Sequence, residues 1–312
     1  MAPPPILALE KLTIHVRADG GRRLKIVEGI DFEIMPGRFF ALVGESGSGK
    51  TMIARAIMRL LPDELVDISG AITFDGEDLV QMPERKLRRL RNARIGMIFQ
   101  EPMSSLNPLM TVGRQITEAI DAHARIGPSE KRRRVLDLLS EVQFSDPELV
   151  MRQYPHELSG GMRQRIVIAM ALVNAPSLLI ADEPTTALDV TIQKQVLDLI
   201  AEVARGRGLA ILLITHDLSL VRQYADEVGV LYGGVMMERG SASEVIENPM
   251  HPYTAALLSC VPRRRTGRTR QEGIEGAVPS VTDWRPGCRF VERCRRAGEM
   301  CRADPIAWRN AH

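Results

Sequence analysis

The chain lacks any apolar run approaching the roughly 20 residues that a helix needs to span a bilayer. Its longest runs, such as 210–214, have the length of one strand. Cysteine is scarce: four in 312 residues, three of them near the C-terminus, which excludes a disulfide framework. An excess of charge is missing too, because 41 Lys and Arg against 39 Asp and Glu leave only +2. That argues against a chain-wide grip on nucleic acid or anionic lipid. There is no internal repeat, and Met1-Ala2-Pro3-Pro4-Pro5 has neither the charged nor the apolar region of a signal peptide, so a cytoplasmic location is expected. What is present is ordinary globular material, 45% hydrophobic and 26% charged, ample for a large core. The length suggests two domains, or one large domain with an appendage.

Periodicity divides the chain. Residues 6 to about 76 read as short strands and turns, with the strand-like run Arg38–Val43 leading into a glycine-rich loop. After the loop Ile53, Ala56, Ile57, Leu60 and Leu61 make the stripe of a core-facing helix. Residues from about 101 to 175 look mainly helical, with Val135, Leu138, Leu139 and Val142 on one face and a helix cap expected at Ser129. From Ser177 apolar strands (177–181, 210–214, 228–232) alternate with amphipathic helix, one of which carries Ile192, Val196, Leu199, Ile200 and Val203. That alternation predicts an α/β fold with a parallel sheet covered on both faces and its chemistry at the carboxyl ends of the strands. The stretch 263–279, rich in Arg, Gly and Thr, reads as a linker. From Arg263 on there are 12 arginines, no lysine and 6 acids, a charge of +6 that leaves −4 for residues 1–262.

Several motifs carry chemistry. Gly44-Glu45-Ser46-Gly47-Ser48-Gly49-Lys50-Thr51 fits G-x-x-x-x-G-K-[ST] between a predicted strand and a predicted helix. Glycines there let backbone N–H groups turn toward an anion, the helix N-terminus adds positive potential, Lys50 can reach the β- and γ-phosphates, and the Thr51 hydroxyl can ligate Mg²⁺. The pattern predicts a nucleoside triphosphate site. The apolar run 178–181 ends in Asp182 and Glu183. Asp182 is placed to hold Mg²⁺ through water, and Glu183 to polarise the water that attacks the γ-phosphate. His216 follows another apolar run, and parallel strands would bring it to the sheet edge that Asp182 occupies. Gln100, ending the run 95–99, offers an amide to Mg²⁺ and the attacking water. Taken singly, Gln100, His216 and the acidic pair also fit a surface turn, a structural histidine and a helix cap.

Leu158-Ser159-Gly160-Gly161-Met162-Arg163-Gln164-Arg165 resembles the signature motif of ATP-binding-cassette (ABC) proteins. Ser159 and the Gly160–Gly161 backbone open a helix and offer a second anion site. The resemblance covers residues 6 to about 260 and implies a phosphate-loop ATPase: a parallel sheet core, an N-terminal antiparallel β portion, a helical subdomain at about 101–175 bearing the signature, and a small C-terminal extension at 263–312 beyond a cassette of 6–262. It implies that Gln100 is the Q-loop residue, Asp182 and Glu183 the Walker B pair, Ala187-Leu188-Asp189 the D-loop and His216 the switch histidine. It further implies that Ser159, Gly160 and Gly161 serve ATP bound by the opposing subunit of a head-to-tail dimer, with Asp189 as a further nucleotide-binding residue. The stretches 43–50, 99–108, 154–157 and 248–254 resemble the peptide/nickel importer subfamily, in particular its D-type subunits. That implies a homologous or identical partner ATPase, two transmembrane permease subunits, an extracytoplasmic substrate-binding protein, and a peripheral place on the cytoplasmic face of the inner membrane. Peptides are the expected cargo, with nickel, glutathione or opine as alternatives and a soluble, non-transport ATPase as the rival.

Two departures from the family stand out. Val16 occupies the position where the family usually offers an aromatic ring to adenine, with His15 as the only neighbouring substitute. In the tail, Cys288, Cys294 and Cys301 follow C-x5-C-x6-C, resembling the subfamily's motif for a [4Fe–4S] cluster, and three thiolates would also suit zinc. A fourth cysteine beyond Cys301 is missing, leaving Cys260 or His312 as candidates. Packed reduced thiols are the plain alternative, and the tail arginines would offset thiolate charge, face lipid headgroups or be solvated.

Overall fold

The computed structural model describes residues 3–100, 105–186, 188–260 and 273–303. In chain order the strands are β1 (Leu7–Arg17), β2 (Arg23–Ile34), β3 (Phe39–Val43), β4 (Val66–Phe74), β5 (Glu77–Asp78), β6 (Ile95–Ile98), β7 (Leu178–Asp182), β8 (Ala210–Thr215), β9 (Glu227–Tyr232) and β10 (Val235–Ser241). The helices are α1 (Lys50–Ile57), α2 (Glu84–Leu90), α3 (Val112–Asp121), α4 (Pro128–Glu141), α5 (Pro147–Arg152), α6 (Gly160–Leu172), α7 (Val190–Arg207), α8 (Leu218–Tyr224), α9 (Ala242–Glu247) and α10 (Pro252–Cys260). No helix among the described residues is long and apolar enough to cross a membrane.

The chain divides into two compact units. One is built mainly from Gln81–Leu213. In it β7 has β6 and β8 as sheet neighbours, and β6 and β7 run parallel with Ile95 opposite Leu178 and Ile98 opposite Ala181. All five residues of β7 are buried, as a strand covered on both faces requires. The helical stretch of this unit holds α3 to α6. Val135, Leu138 and Leu139 of α4 are buried, as their spacing predicts. The expected cap at Ser129 is corrected: α4 starts two residues earlier, with Gly127 at the N-cap and Pro128 in the first turn. Proline at that position has its ring torsion preset for helix and loses no hydrogen bond.

The other unit comprises Leu7–Glu33, Phe39–Val80 and the residues from Ile214 on. Its antiparallel sheet has the order β2-β1-β4-β5, and β1 and β2, at 11 and 12 residues, are far longer than the short strands expected. In its second layer β9 pairs parallel with β3 and antiparallel with β10. The helix after the phosphate loop is shorter than its apolar stripe. It ends at Ile57, Arg59 adopts a φ of +46°, and Leu60 is left 41% exposed. A residue in the left-handed region cannot continue an α-helix, so the last turn of the stripe is lost. The core of this unit joins Ala41 and Val43 of β3 to Val228, Val230 and Tyr232 of β9, Tyr253 of α10 and, from the tail, Phe290.

Candidate active site

In the unit containing 81–213, β7 delivers Asp182 at its carboxyl end, only 1% exposed. The chain then turns sharply, and Glu183 adopts a φ of +46°. A β-carbon-bearing residue there is strained, and such strain persists where the surroundings hold it. They do: the Thr186 hydroxyl donates to the Glu183 carbonyl and to its Oε2, both at 3.1 Å, and Gln100 Nε2 donates to the same Oε2 at 3.4 Å. Gln100 and Glu183, expected at one site from separate motifs, therefore meet. Ser159 caps α6 by accepting from the Met162 N–H, and Gly160 and Gly161 form the first turn behind it. Five residues on, buried Gln164 donates to the Pro184 carbonyl at 2.6 Å, tying the signature helix to the turn that carries Glu183. Asp189 caps α7, accepting from the N–H groups of Thr191 and Ile192. Ala187, expected beside it in the D-loop, lies outside the described residues.

In the other unit, β3 is buried along its length and feeds the phosphate loop. Gly44 packs so closely that an added Cβ would stand 2.1 Å from the Leu231 carbonyl, which no side chain tolerates. Gly49 occupies the N-cap of α1 at a φ of +100°, and no side chain caps the helix, so its first turn points backbone N–H groups outward as an anion cradle. The Lys50 ammonium curls over the loop, donating to the carbonyls of Gly44 (2.8 Å) and Glu45 (2.9 Å) and to Ser48 Oγ (3.2 Å). The donor set thus fits a polyphosphate: a buried ammonium, a ring of glycine-permitted N–H groups, and Thr51 as the second helical residue. His216, directly after β8, is exposed, and its neighbour Asp217 caps α8. Val16 is bound into β1 opposite Val66, and His15 stands opposite Asp67.

These arrangements match known proteins. The model of the ABC transporter family matches residues 27–186, and that of the oligopeptide/dipeptide transporter C-terminal region matches 237–301. The chain belongs to the ABC transporter family. Within it, the cassette is 48% identical over 276 residues to a probable peptide ABC transporter ATP-binding protein of Sinorhizobium fredii, covering 88% of this chain and 82% of that protein. It is 44% identical over 297 residues to a dipeptide transport ATP-binding protein of Bacillus subtilis, covering 95% and 88%. Among solved structures it resembles a dimeric ATP-binding cassette in a post-hydrolysis state bound to ADP and phosphate, at a TM-score of 0.66 and 26% identity over 76% of this chain and 98% of that one. The cassette is an ATP-binding and ATP-hydrolysing protein of the α/β phosphate-loop class.

Nothing among the described residues supports the cluster expected at the tail cysteines. Among the described residues no group of three or more His, Cys, Asp or Glu side chains is placed to hold a metal ion. Cys288 instead donates its backbone N–H to the Cys301 carbonyl, and its sulfur lies 3.9 Å from His251 Nε2. Burial pushes the Cys288 thiol up from its ordinary value, with Cys301 and Cys294 adding to the rise. Cys260 hydrogen-bonds the Ala256 carbonyl inside its own helix, and His312 lies outside the described residues.

Four residues that sequence reasoning passed over shape the two halves. Thr186 and Gln164 hold the Glu183 turn. Tyr253 accepts from the Glu45 N–H at 3.0 Å, and Arg293 grips the Glu45 carboxylate. Gln164 and Tyr253 lay inside the stretches 158–165 and 248–254 that carry the resemblance, without a role of their own; Thr186 and Arg293 left no signal.

Proposed function

We propose that this cassette is the nucleotide-hydrolysing subunit of a membrane importer of di- or oligopeptides. The observation that carries this is the convergence of Gln100 and Thr186 on the carboxylate of a strained Glu183, an arrangement suited to holding an attacking water. In this reading the loop Gly44 to Thr51 (with Glu45, Ser46, Gly47, Ser48 and Gly49 between) holds the triphosphate through Lys50 and its backbone N–H groups other than those of Glu45 and Ser48, which go to Tyr253 and to the Glu45 carbonyl. Thr51, Gln100 and Asp182 are the residues that would hold Mg²⁺, which would supply charge neutralisation on the phosphates. Glu183 orients water, and His216 senses the γ-phosphate. Ser159, Gly160, Gly161 and Asp189 act on the nucleotide of a second ATPase subunit, identical or homologous. The dimeric form of the solved cassette supports this last assignment.

The names of the relatives support peptides as cargo, and with it two transmembrane permease subunits, an extracytoplasmic binding protein and a peripheral place on the inner membrane. The chain divides in this reading into a cassette of 6–262, with helical 101–175, and an extension of 263–312. The test is uptake of a radiolabelled dipeptide by cells lacking this chain. Wild type restores uptake and Lys50→Ala does not; uptake unaffected by removal of the chain overturns peptide import.

A further inference from the structure

Glu45 is the single acid in the loop Gly44–Thr51, at the spot where a polyanion is to be received. Both its ends are held by residues far along the chain. Its N–H donates to Tyr253 Oη at 3.0 Å, and its carboxylate takes a two-pronged grip from Arg293, at 2.5 Å from Nη1 and 3.1 Å from Nη2. Arg293 is itself almost fully buried, its side chain 7% exposed. Its remaining donors go to Tyr232 Oη (3.2 Å) and to the carbonyls of Glu275 (2.9 Å) and Gly276 (3.0 Å). The ring of Tyr232 packs edge-on to Phe290, three residues before Arg293, so the guanidinium sits in a rigid apolar seat.

A planar fork meeting a carboxylate with two bonds in a desolvated setting is among the stronger polar contacts a protein makes. It also does something packing alone does not: it cancels the negative charge of Glu45 next to the phosphate cradle and fixes which way that side chain points. Without the guanidinium the carboxylate would remain in the loop and repel phosphate.

We propose that Arg293 is a positioning residue for nucleotide binding: by neutralising and anchoring Glu45 it holds the phosphate loop open to a triphosphate, so the C-terminal tail sets the ATP affinity of the cassette. This rests on the reading of Gly44–Thr51 as the phosphate-binding loop. The experiment is equilibrium titration of the purified full chain with a fluorescent ATP analogue, with thermal melts alongside. Arg293→Ala weakens binding about tenfold, as expected for loss of one charge-assisted pair. Adding Glu45→Gln to it removes the uncompensated carboxylate and returns the Kd to that of Glu45→Gln alone. Arg293→Lys, which keeps the charge and loses the fork, falls between wild type and Arg293→Ala, and serves where the alanine variant does not fold.

A tail that is merely structural glue leaves the double variant as weak as Arg293→Ala. That result overturns the proposal, and so does wild-type affinity in both Arg293 variants. Lys50→Ala separates the two layers: retained ATP binding in that variant overturns the reading of the loop itself, while its loss beside an unaffected Arg293→Ala overturns only the role of the tail.

Discussion

At the scale of single residues, the most informative feature is the backbone of Glu183. A carboxylate residue at a φ of +46° costs about 1–3 kcal/mol, and the local bonds from Thr186 and Gln100 hold it there. The strain aims the carboxylate away from the line of β7, whose own last side chain, Asp182, stays buried. One strand end thereby offers two carboxylates in different environments, the usual way a site separates a metal-holding acid from a water-orienting one. Glu183→Gln keeps the shape and the bonds to oxygen and removes the carboxylate charge. Its turnover should fall at least about a hundredfold with ATP binding retained, as phosphate release and nucleotide retention on a filter will show. A loss of binding equal to the loss of turnover would instead assign Glu183 to the cradle.

At the scale of elements, helix ends do the positioning. The signature helix α6 begins on the Ser159 cap and is bonded from its second turn to the Pro184 carbonyl through Gln164. The signature helix and the Glu183 turn are thus bonded directly, within one unit. Gln164→Leu leaves that buried carbonyl without its donor and should cost about 1–3 kcal/mol in urea unfolding. Its kcat should fall with little change in KM, because the turn, and not the cradle, is loosened; steady-state ATPase assays separate the two. The Asp189 cap of α7 shows the same economy of parts, since the residue expected to bind nucleotide also accepts two backbone N–H groups of its own helix.

At the scale of the whole molecule, four arginines of the described tail are paired with acids. Arg289, Arg293, Arg295 and Arg302 pair with Glu28, Glu45, Glu275 and Glu292, and Arg289 also stacks on Trp284 at 4.1 Å. The excess of +6 beyond residue 262 thus meets part of its balance in acids of the cassette and part in its own. Burial tends to raise the Glu28 carboxyl, but Lys25 and Arg289 outweigh it and hold it below the usual carboxylate range. A carboxyl lowered in the folded state binds fewer protons there than in the unfolded chain. Its contribution is therefore complete above the unfolded value and is lost as pH falls through the folded one. Melting temperatures of wild type should accordingly fall more steeply than those of Glu28→Gln as the pH drops from about 5 to about 3. Parallel curves would show that the pair contributes nothing to stability.

The local sequence determined much of this protein by itself. Apolar runs gave β7, β8 and β9 within a residue or so, because a strand buried on both faces must be apolar throughout. The loop Gly44–Thr51 and the pair Asp182-Glu183 were legible because phosphate chemistry demands fixed residue types at fixed spacing over a few positions. Helix limits were less so. The α1 stripe continued past Ile57, and only the left-handed Arg59 ended the helix. The tertiary structure alone decided that Gln100 bonds the Glu183 carboxylate itself across 83 residues, that Arg293 seizes Glu45 across 248, and that Cys288 and Cys294 pack against the apolar core holding Phe290. Each is a contact between side chains that no periodicity links. Its energy exists only once packing has desolvated both partners and brought them within hydrogen-bond reach.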